Sequence, residues 1–415
     1  MDIKGKRVCI IGAARSGIAA ANLAAEMGGV VKITDGKPLA AIEPALSLLK
    51  DREHVQIESG GHSRGFVVSS DLVVASPGVW RDAEPLQWAR EAGIPVCGEI
   101  EFAWLNCKKP VIAVTGSNGK TTTVTLIAKV IEAAGKRACL CGNVGLPFSQ
   151  HSSRTEVDFF VVEISSFQLE LINTFRPYIA AILNFSQNHL DRHPDMEDYF
   201  GAKKRIFMNQ SAQDFAVLNA RDPLVARLKD QVSSQVRFFN QEGSSANPNH
   251  LAVQEVARIL GIPDAVTQKV FDEFTGVEHR LERVRVLDGV EFINDSKSTT
   301  VEAGRWALER MQKSAVLIVG GSDKHMDYTC LRELVQRKAR VMVAIGAIRE
   351  QFAATFGDVL PVEVINGGLD AAVAFARRTA RSGECILFSP MTASFDMFDN
   401  FEHRGKVFKE IVRAL

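Results

Sequence analysis

A glycine-rich turn that carries a lysine and threonines has the residue types best suited to chemistry in this sequence. It lies in Val111-Ile-Ala-Val-Thr-Gly-Ser-Asn-Gly-Lys-Thr-Thr-Thr123, where an apolar strand runs into the turn and then into a helix. Backbone N–H groups at such a turn converge on phosphate oxygens, and the helix dipole favours an anion there. We therefore expect the phosphates of ATP to be held by Gly116, Asn118, Gly119, Lys120, Thr121 and Thr122.

The same turn also suggests a magnesium site. Thr121 offers a hydroxyl, and Glu163 directly follows the apolar run Phe159–Val162. Because the carboxyl ends of parallel strands meet at one edge of a sheet, this carboxylate is expected beside the phosphate turn, where Mg²⁺ needs few protein ligands. Val114 replaces the first glycine of the common Gly-x-x-x-x-Gly-Lys-Thr pattern, which indicates a particular branch of P-loop enzymes. A purely steric glycine turn and a solvated glutamate are the alternatives.

A second glycine-containing turn lies near the N-terminus. Val8-Cys-Ile-Ile-Gly-Ala-Ala-Arg-Ser-Gly17, with Asp35 about 20 residues beyond, is typical of a Rossmann opening. Ala14 replaces the middle glycine, and its side chain would hinder a dinucleotide pyrophosphate. We expect Ser16 and Asp35 to hold a uridine diphosphate, with Gly78 at the same crevice. The alternative is a domain whose glycines only permit packing.

The elements that must position these residues alternate along the whole chain. Apolar strand-like runs separated by helical patterns favour α/β layers with parallel sheets. The runs are Val8–Ile11, Val30–Ile33, Leu72–Ala75, Val111–Val114, Phe159–Val162, Ile179–Leu183, Phe215–Leu218, Ala315–Val319, Val341–Ile345 and Cys385–Phe388. Polar breaks at 106–110 and 274–276 predict three domains, over residues 1–107, 108–275 and 276–415.

Composition restricts the class of protein further. Lys plus Arg and Asp plus Glu both number 49, so no basic field points to nucleic acid. No signal peptide and no apolar run long enough to span a membrane occur, so we expect a cytoplasmic monomer without membrane insertion. The seven cysteines form no Cys-x-x-Cys pair, which favours buried, reduced thiols.

Six motifs resemble those of the Mur ligases of peptidoglycan synthesis, in order along the chain. They are Thr115-Gly-Ser-Asn-Gly-Lys-Thr-Thr122, Glu163-Ile-Ser-Ser-Phe-Gln-Leu-Glu170, Asn188-His-Leu-Asp-Arg-His193, Gly276-Val-Glu-His-Arg-Leu-Glu282, Asn294-Asp-Ser-Lys-Ser-Thr299 and Ser389-Pro-Met-Thr-Ala-Ser-Phe-Asp-Met-Phe398. The resemblance implies a Rossmann-like UDP-binding domain, a central P-loop ATPase domain with a parallel sheet, and a Rossmann-like C-terminal domain. It also implies an ATP-dependent ligase that adds D-glutamate to UDP-N-acetylmuramoyl-L-alanine through an acyl phosphate.

The resemblance implies a role for each matching residue. Lys120, His189 and Lys203 would be catalytic, and two Mg²⁺ ions would be held by Thr121, Glu163, His189 and Lys203, the last carbamoylated. Asn143 would contact the UDP-substrate, and ATP would also meet Asn249, Arg280 and Asp295. The incoming amino acid would be held by Lys297, Thr299, Lys324, Ser394, Phe395 and Phe401.

Without the resemblance, residue type alone would lead to different assignments for two of these residues. A lone histidine such as His189 is more often structural, and Phe395 would be assigned to the core. Three rival functions stay open: a related ligase with another amino acid, a folylpolyglutamate-type ligase, and a nucleotide-binding relative without catalysis. The N-terminal domain argues against the folate type, and the absence of Asp-Asn-Pro-Arg argues against the diaminopimelate- or lysine-adding enzyme.

Overall fold

The chain folds into three sheets that belong to two compact units. A computed structural model describes residues 2–186, 192–243, 246–274, 276–323 and 326–415, with residue 302 described by its backbone. The units are Met1–Phe274, which holds two sheets, and Thr275–Leu415, which holds the third.

The first sheet has five parallel strands in the order β3-β2-β1-β4-β5. Its strands are β1 (Arg7–Ile11), β2 (Val30–Asp35), β3 (Gln56–Ser59), β4 (Leu72–Ala75) and β5 (Val96–Gly98). Its helices are α1 (Arg15–Glu26), α2 (Leu39–Leu46), α3 (Arg64–Val68), α4 (Glu84–Glu91) and α5 (Glu99–Trp104). The strand order reverses between β1 and β4, which is where a doubly wound sheet opens a crevice for ligands. A Cβ on Gly17 would stand 1.9 Å from the Gly12 carbonyl oxygen, so this glycine is needed for α1 to pack there.

The second sheet has six parallel strands in the order β11-β10-β9-β6-β8-β7. Its strands are β6 (Val111–Thr115), β7 (Ala138–Gly142), β8 (Phe159–Glu163), β9 (Ile179–Ile182), β10 (Phe215–Asn219) and β11 (Gln235–Phe239). Its helices are α6 (Lys120–Ala133), α7 (Ser166–Leu169), α8 (Met196–Lys204), α9 (Pro223–Ala226), α10 (Pro248–Ile259) and α11 (Asp264–Glu273). The central strands are apolar along their length because helices cover both faces.

Two buried glutamates of α5 join the first sheet to the second. Both carboxylate oxygens of Glu101 accept hydrogen bonds from the backbone N–H groups of Asn173, Thr174 and Phe175, at 2.7 to 2.9 Å. Glu99 accepts from the backbone N–H and the hydroxyl of Ser149, while its burial raises the pKa of this carboxyl. These contacts explain why the two sheets form one compact unit.

The third sheet is mixed, with the order β12-β13-β17-β14-β15-β16. Its strands are β12 (Glu282–Leu287), β13 (Val290–Asn294), β14 (Ala315–Gly320), β15 (Ala339–Ile345), β16 (Val362–Val364) and β17 (Cys385–Phe388). Its helices are α12 (Val301–Arg310), α13 (Arg332–Lys338), α14 (Arg349–Phe356), α15 (Leu369–Thr379) and α16 (Phe401–Ala414). Strand β12 pairs antiparallel to β13 at one edge, and the remaining pairs are parallel.

The predicted α/β fold with parallel sheets is confirmed. Each of the ten apolar runs lies in a strand to within a residue or two at its ends. The short, polar edge strand β3 was not predicted, since its Gln-Ile-Glu-Ser sequence lacks an apolar run. All seven cysteines are free, and most are buried. In the described part of the chain, no helix has the length and apolar character to cross a membrane.

Candidate functional site

A cavity of about 650 Å³ opens at the carboxyl ends of the first sheet and reaches the second. The four residues predicted to contact a UDP-substrate, Ser16, Asp35, Gly78 and Asn143, all line it. Lining residues that the sequence did not single out are Gly36, Lys37, His62, Trp80 and Gln168. The cavity is therefore shared by two sheets, with Asn143 as a contribution of the second.

Asp35 organises the part of the cavity near β1 and β2. Its Oδ2 accepts from the backbone N–H of Ala13 at 2.7 Å, and its Oδ1 accepts from that of Lys37 at 2.8 Å. On the other side of β1, the Ser76 hydroxyl donates to the Gly12 carbonyl at 2.8 Å. The glycine turn is thus fixed from both neighbouring strands.

The predicted phosphate turn lies between β6 and α6. Gly116 and Gly119 have φ values of 147° and 82°, a backbone region that favours glycine. The side chain of Asn184 accepts from the backbone N–H of Asn118 and donates to its carbonyl, at 2.8 and 3.0 Å. The Lys120 ammonium donates to the carbonyls of Gly116 and Ser117, at 2.8 and 3.2 Å. The turn is therefore held in shape by its own lysine and by the end of β9.

The N-terminus of α6 has the properties of an anion site. Among the described residues, no side chain caps this end of the helix, and no acid lies in its first turn. Thr121 is buried there, and Thr122 is half-buried. A Cβ on Gly119 would stand 2.4 Å from Oδ1 of Asn249, so the side chain of Asn249 lies against the turn.

Glu163 connects the phosphate turn with the cavity. It pairs in register with Val114 of the neighbouring strand, and it is 2% exposed. Its Oε1 accepts from the side-chain amide of Asn143 at 2.7 Å. Its Oε2 is buried and has no hydrogen-bond partner in the described part of the chain. A buried carboxylate oxygen without a partner is costly, and a bound cation would satisfy it.

Lys203 lies on the last turn of α8 and is 1% exposed. Its ammonium donates to the Gly116 carbonyl at 3.0 Å and lies 4.6 Å from the centre of the Tyr199 ring. Burial, and secondly the charge of Lys120, hold the pKa of Lys203 well below its usual value. No carboxylate pairs with it within the described residues. His189, the other predicted metal ligand, lies outside those residues.

The unit Thr275–Leu415 holds the other predicted site residues. Arg280 lies over the Trp306 ring at 4.6 Å, and the Lys297 ammonium lies 5.5 Å from the Phe401 ring centre. Thr299 is half-buried just before α12. Lys324 lies outside the described residues.

Asp295 is buried at the end of β13. Its Oδ2 accepts from the Ser389 hydroxyl at 2.8 Å, and its Oδ1 accepts from the Leu281 N–H at 3.2 Å. Burial raises the pKa of Asp295 to about 7, despite these hydrogen bonds and the nearby charge of Arg280.

Arg404, which the sequence did not single out, supports the loops that carry Lys297 and Ser394. Its guanidinium is fully buried and donates to the hydroxyl and carbonyl of Ser296, at 3.0 and 2.9 Å, and to the carbonyls of Ala393 and Thr392, each at 3.1 Å. Burial lowers the pKa of Arg404 to about 10.

Ser394 and Phe395 come directly after Thr392 and Ala393, whose carbonyls accept hydrogen bonds from Arg404. Ser394 is buried, whereas Phe395 is 74% exposed. The assignment of Phe395 to the core from its residue type alone is thus wrong.

Arg192 lies in the motif that ends at His193, but sequence reasoning gave this arginine no role of its own. Its side chain is 9% exposed and lies between the rings of Trp80 and Phe167, at 5.0 and 4.6 Å from their centres. It donates to the carbonyls of Gly78 and Val79, at 3.2 and 2.7 Å. Its residue type gave no signal for this role, because the carbonyls that it contacts lie more than 100 residues away in the sequence.

Comparison with known proteins defines the class. The model of the Mur ligase middle domain matches residues 114–260, and that of the MurD-like N-terminal domain of Mur ligases matches residues 6–98. The UDP-N-acetylmuramoylalanine–D-glutamate ligase of Koribacter versatilis is 39% identical over 451 residues, covering 100% of this chain and 99% of that protein. The ligase of the same name from Chlorobium limicola is 40% identical over 471 residues, with the same coverage.

The chain therefore belongs to the Mur ligase family, whose members form amide bonds with ATP and Mg²⁺. Solved structures agree in fold. A UDP-N-acetylmuramate-alanine ligase from Thermotoga maritima superposes with a TM-score of 0.57 at 18% identity, over 99% of both chains. A pseudomurein peptide ligase type C from Methanothermus fervidus gives 0.53 at 17% identity, over 99% of this chain and 100% of that one.

Proposed function

We propose that this protein joins D-glutamate to UDP-N-acetylmuramoyl-L-alanine, with cleavage of ATP to ADP and phosphate. The observation that carries the proposal is the position of Glu163, whose carboxylate contacts Asn143 of the cavity and ends the strand next to the phosphate turn. A single buried acid thus connects a nucleotide-sugar cavity with an ATP-binding turn. The full-length relatives that carry this activity in their names support the choice of substrates.

The cavity suits a nucleotide diphosphate linked to a sugar. The diphosphate would lie at the N-terminus of α1, near Ser16, with the ribose toward Asp35. The sugar end would extend past Gly78 to Asn143, which brings the substrate carboxylate toward Glu163. This order follows from the places of these residues in the fold, since Gly78 comes after β4 of the first sheet and Asn143 after β7 of the second.

Magnesium fits the residues around the phosphate turn. The orphan oxygen of Glu163 and the Thr121 hydroxyl would hold one ion, and His189 and a carbamoylated Lys203 would hold a second. When bound, Mg²⁺ would neutralise the charge that develops on the transferred phosphate. Carbamoylation suits Lys203 because a buried ammonium without a carboxylate partner would repel metal ions, whereas a carbamate offers anionic oxygens.

The reaction needs no nucleophilic side chain from the protein. The protein must instead align the substrates and stabilise negative charge. The substrate carboxylate attacks the terminal phosphorus of ATP and ADP leaves; the amine of D-glutamate then attacks the acyl phosphate, loses a proton and displaces phosphate. Lys120 would exchange its two carbonyl contacts for phosphate oxygens and stabilise the charge that develops on them.

The C-terminal unit would bind the amino acid and part of ATP. Arg280 would contact phosphate and Asp295 the ribose, with Asn249 of the central sheet near the adenine. The acceptor would be held by Lys297, Thr299, Lys324, Ser394, Phe395 and Phe401. Two lysines and two hydroxyls suit a dicarboxylate.

The domain limits and cellular setting complete the proposal. We assign residues 1–107 to UDP binding, 108–275 to ATP binding and 276–415 to the amino acid and ATP. Seven free cysteines support a cytoplasmic protein, since disulfides are rare in that compartment. We also assign a monomer.

The proposal is tested by phosphate release from ATP and Mg²⁺ with UDP-N-acetylmuramoyl-L-alanine and a panel of D- and L-amino acids. We expect release only when both the nucleotide-sugar and D-glutamate are present. Release with a different amino acid would support the same reaction but assign the protein a different amino acid substrate. Absence of release from folded protein with every acceptor would overturn the proposal.

A further inference from the structure

We propose that His62 recognises the N3–H group of the uracil ring and thereby sets the base selectivity of the cavity. The inference rests on the proposed use of a UDP-linked substrate and adds a residue that determines specificity. Three features carry it: the position of His62 in the cavity, the contacts that fix its ring, and the position of Gly36 beside Nε2.

The base end of the cavity follows from the strand order. A diphosphate lies at the N-terminus of the helix after β1, and the acid at the end of β2 meets the ribose. Asp35 has that position, so the base lies beyond it, on the β3 side of the sheet. The cavity residues on that side are Gly36, Lys37 and His62.

A chain of side chains fixes the His62 ring. Its Nδ1 lies 2.8 Å from the hydroxyl of Thr34, which is fully buried. The same hydroxyl lies 2.7 Å from Oε2 of Glu58. Glu58 also accepts from the backbone N–H of Ser63 at 3.0 Å and from the Ser63 hydroxyl.

These contacts select one tautomer of the neutral ring. The Thr34 hydroxyl has one proton, and the carboxylate of Glu58 is its strongest acceptor. The hydroxyl oxygen must then accept a hydrogen bond from Nδ1–H of His62. Nε2 consequently carries a lone pair and acts as an acceptor. Burial opposes the charge on Glu58, but the hydrogen bonds from Ser63 and Thr34 outweigh it and lower the pKa, which keeps the carboxylate an acceptor.

The Nε2 atom lies beside Gly36, which lines the same cavity. A Cβ built on Gly36 would lie 3.7 Å from Nε2, and Nε2 makes no hydrogen bond to the described residues. Gly36 does not have a positive φ, so its backbone does not require glycine. The small residue instead keeps the approach to Nε2 open. An acceptor here matches the N3–H of uracil, and the Lys37 ammonium at the same end suits a flanking carbonyl.

The test measures the binding of free nucleotides to the full-length chain by calorimetry. The probes are UDP, CDP, whose ring has no N3 proton, and N3-methyl-UDP, in which that proton is replaced. We expect the wild type to bind UDP about 10- to 100-fold more tightly than either analogue, because an unsatisfied buried group costs about 1–3 kcal/mol.

Three variants complete the test. His62→Ala should weaken UDP binding and bring its affinity close to that of both analogues. Gly36→Ala is tolerated by the backbone but covers Nε2, so it should reduce the same preference. His54→Ala is the matched control, because this histidine just before β3 is 80% exposed and lies outside the cavity. Its preference for UDP should match that of the wild type.

The outcomes separate this inference from the proposed function. A wild type that binds UDP without preference over CDP and N3-methyl-UDP overturns the role of His62 alone. The same holds if His62→Ala stays folded and retains the full preference. A folded wild type that binds none of the three nucleotides overturns the UDP assignment, and the role of His62 with it.

Discussion

Asn143 donates its side-chain amide to Glu163 at 2.7 Å, which leaves the second oxygen of this buried carboxylate without a described partner. A residue that lines the cavity proposed for the nucleotide-sugar thereby orients the acid that would hold magnesium. Residues that orient a metal ligand commonly affect metal affinity almost as strongly as the ligand itself.

Asn143→Ala should therefore weaken the apparent affinity for Mg²⁺ by about 10- to 100-fold. The measurement is a magnesium titration of phosphate release at saturating substrates. Asn209→Ala is the control, since the amide of Asn209 donates to the carbonyls of Asn173 and Phe175 rather than to Glu163. If Asn143→Ala changes the KM of the nucleotide-sugar and leaves the magnesium titration unaltered, the link through Glu163 is wrong.

Lys203→Ala should abolish turnover while the protein still binds UDP, because the lysine does not line the cavity to which we assign the nucleotide. Acetate or another short carboxylic acid should restore part of the activity by replacing the carbamate. Lys204→Ala, at the neighbouring position, serves as the control. Full activity of Lys203→Ala would exclude a role for the carbamate, and activity that no acid restores would argue for the bare amine.

Asp295 should make the stability of the chain fall as pH rises from about 4 to about 7. Its carboxyl has a pKa of about 7 when folded and close to 3.8 when unfolded, so the folded state retains the proton over that range. One pKa unit corresponds to about 1.4 kcal/mol, which gives a loss on the order of 4 kcal/mol.

Denaturant unfolding of the wild type and Asp295→Asn across this pH range tests the prediction. Asparagine does not titrate, so the variant should become progressively more stable than the wild type as pH rises, with a constant difference above about pH 7. Parallel curves at every pH would mean that Asp295 has an ordinary pKa.

Arg404→Met should destabilise the C-terminal unit by about 3 kcal/mol, because the change removes the buried guanidinium that donates to the carbonyls of Ser296 and Thr392. The Ala393 carbonyl would keep the backbone N–H of Ser322. Hydrogen exchange of the β13 and β17 amides reports the loss as faster exchange. Arg413→Met, near the exposed end of the same helix, should leave the exchange unchanged. Equal exchange in the two variants would contradict the structural role of Arg404.

The features that could be predicted from the sequence are those encoded by residues that are close together in the chain. The phosphate turn, Glu163 at a strand end and the buried strands all follow from residues that are neighbours in the chain. Arg192, His62 and Arg404 escaped prediction because each makes contacts with a segment that is well separated in sequence, such as the contact of Arg404 with the Ser296 carbonyl. A strand was expected after Glu282, but the antiparallel direction of β12 was not predicted, since it depends on the pairing with β13 rather than on the strand's own residues.

The anchoring of Glu101 has a consequence for mutational tolerance. Its carboxylate binds the backbone N–H groups of Asn173, Thr174 and Phe175, and N–H groups are present whatever side chain a residue carries, proline excepted. At this junction between the first two sheets, the choice of residue should therefore be restricted at Glu101 and much less restricted at the three positions that donate to it. In a saturation mutagenesis screen, Glu101 should accept almost no replacement, whereas Asn173 should accept most residues and reject proline.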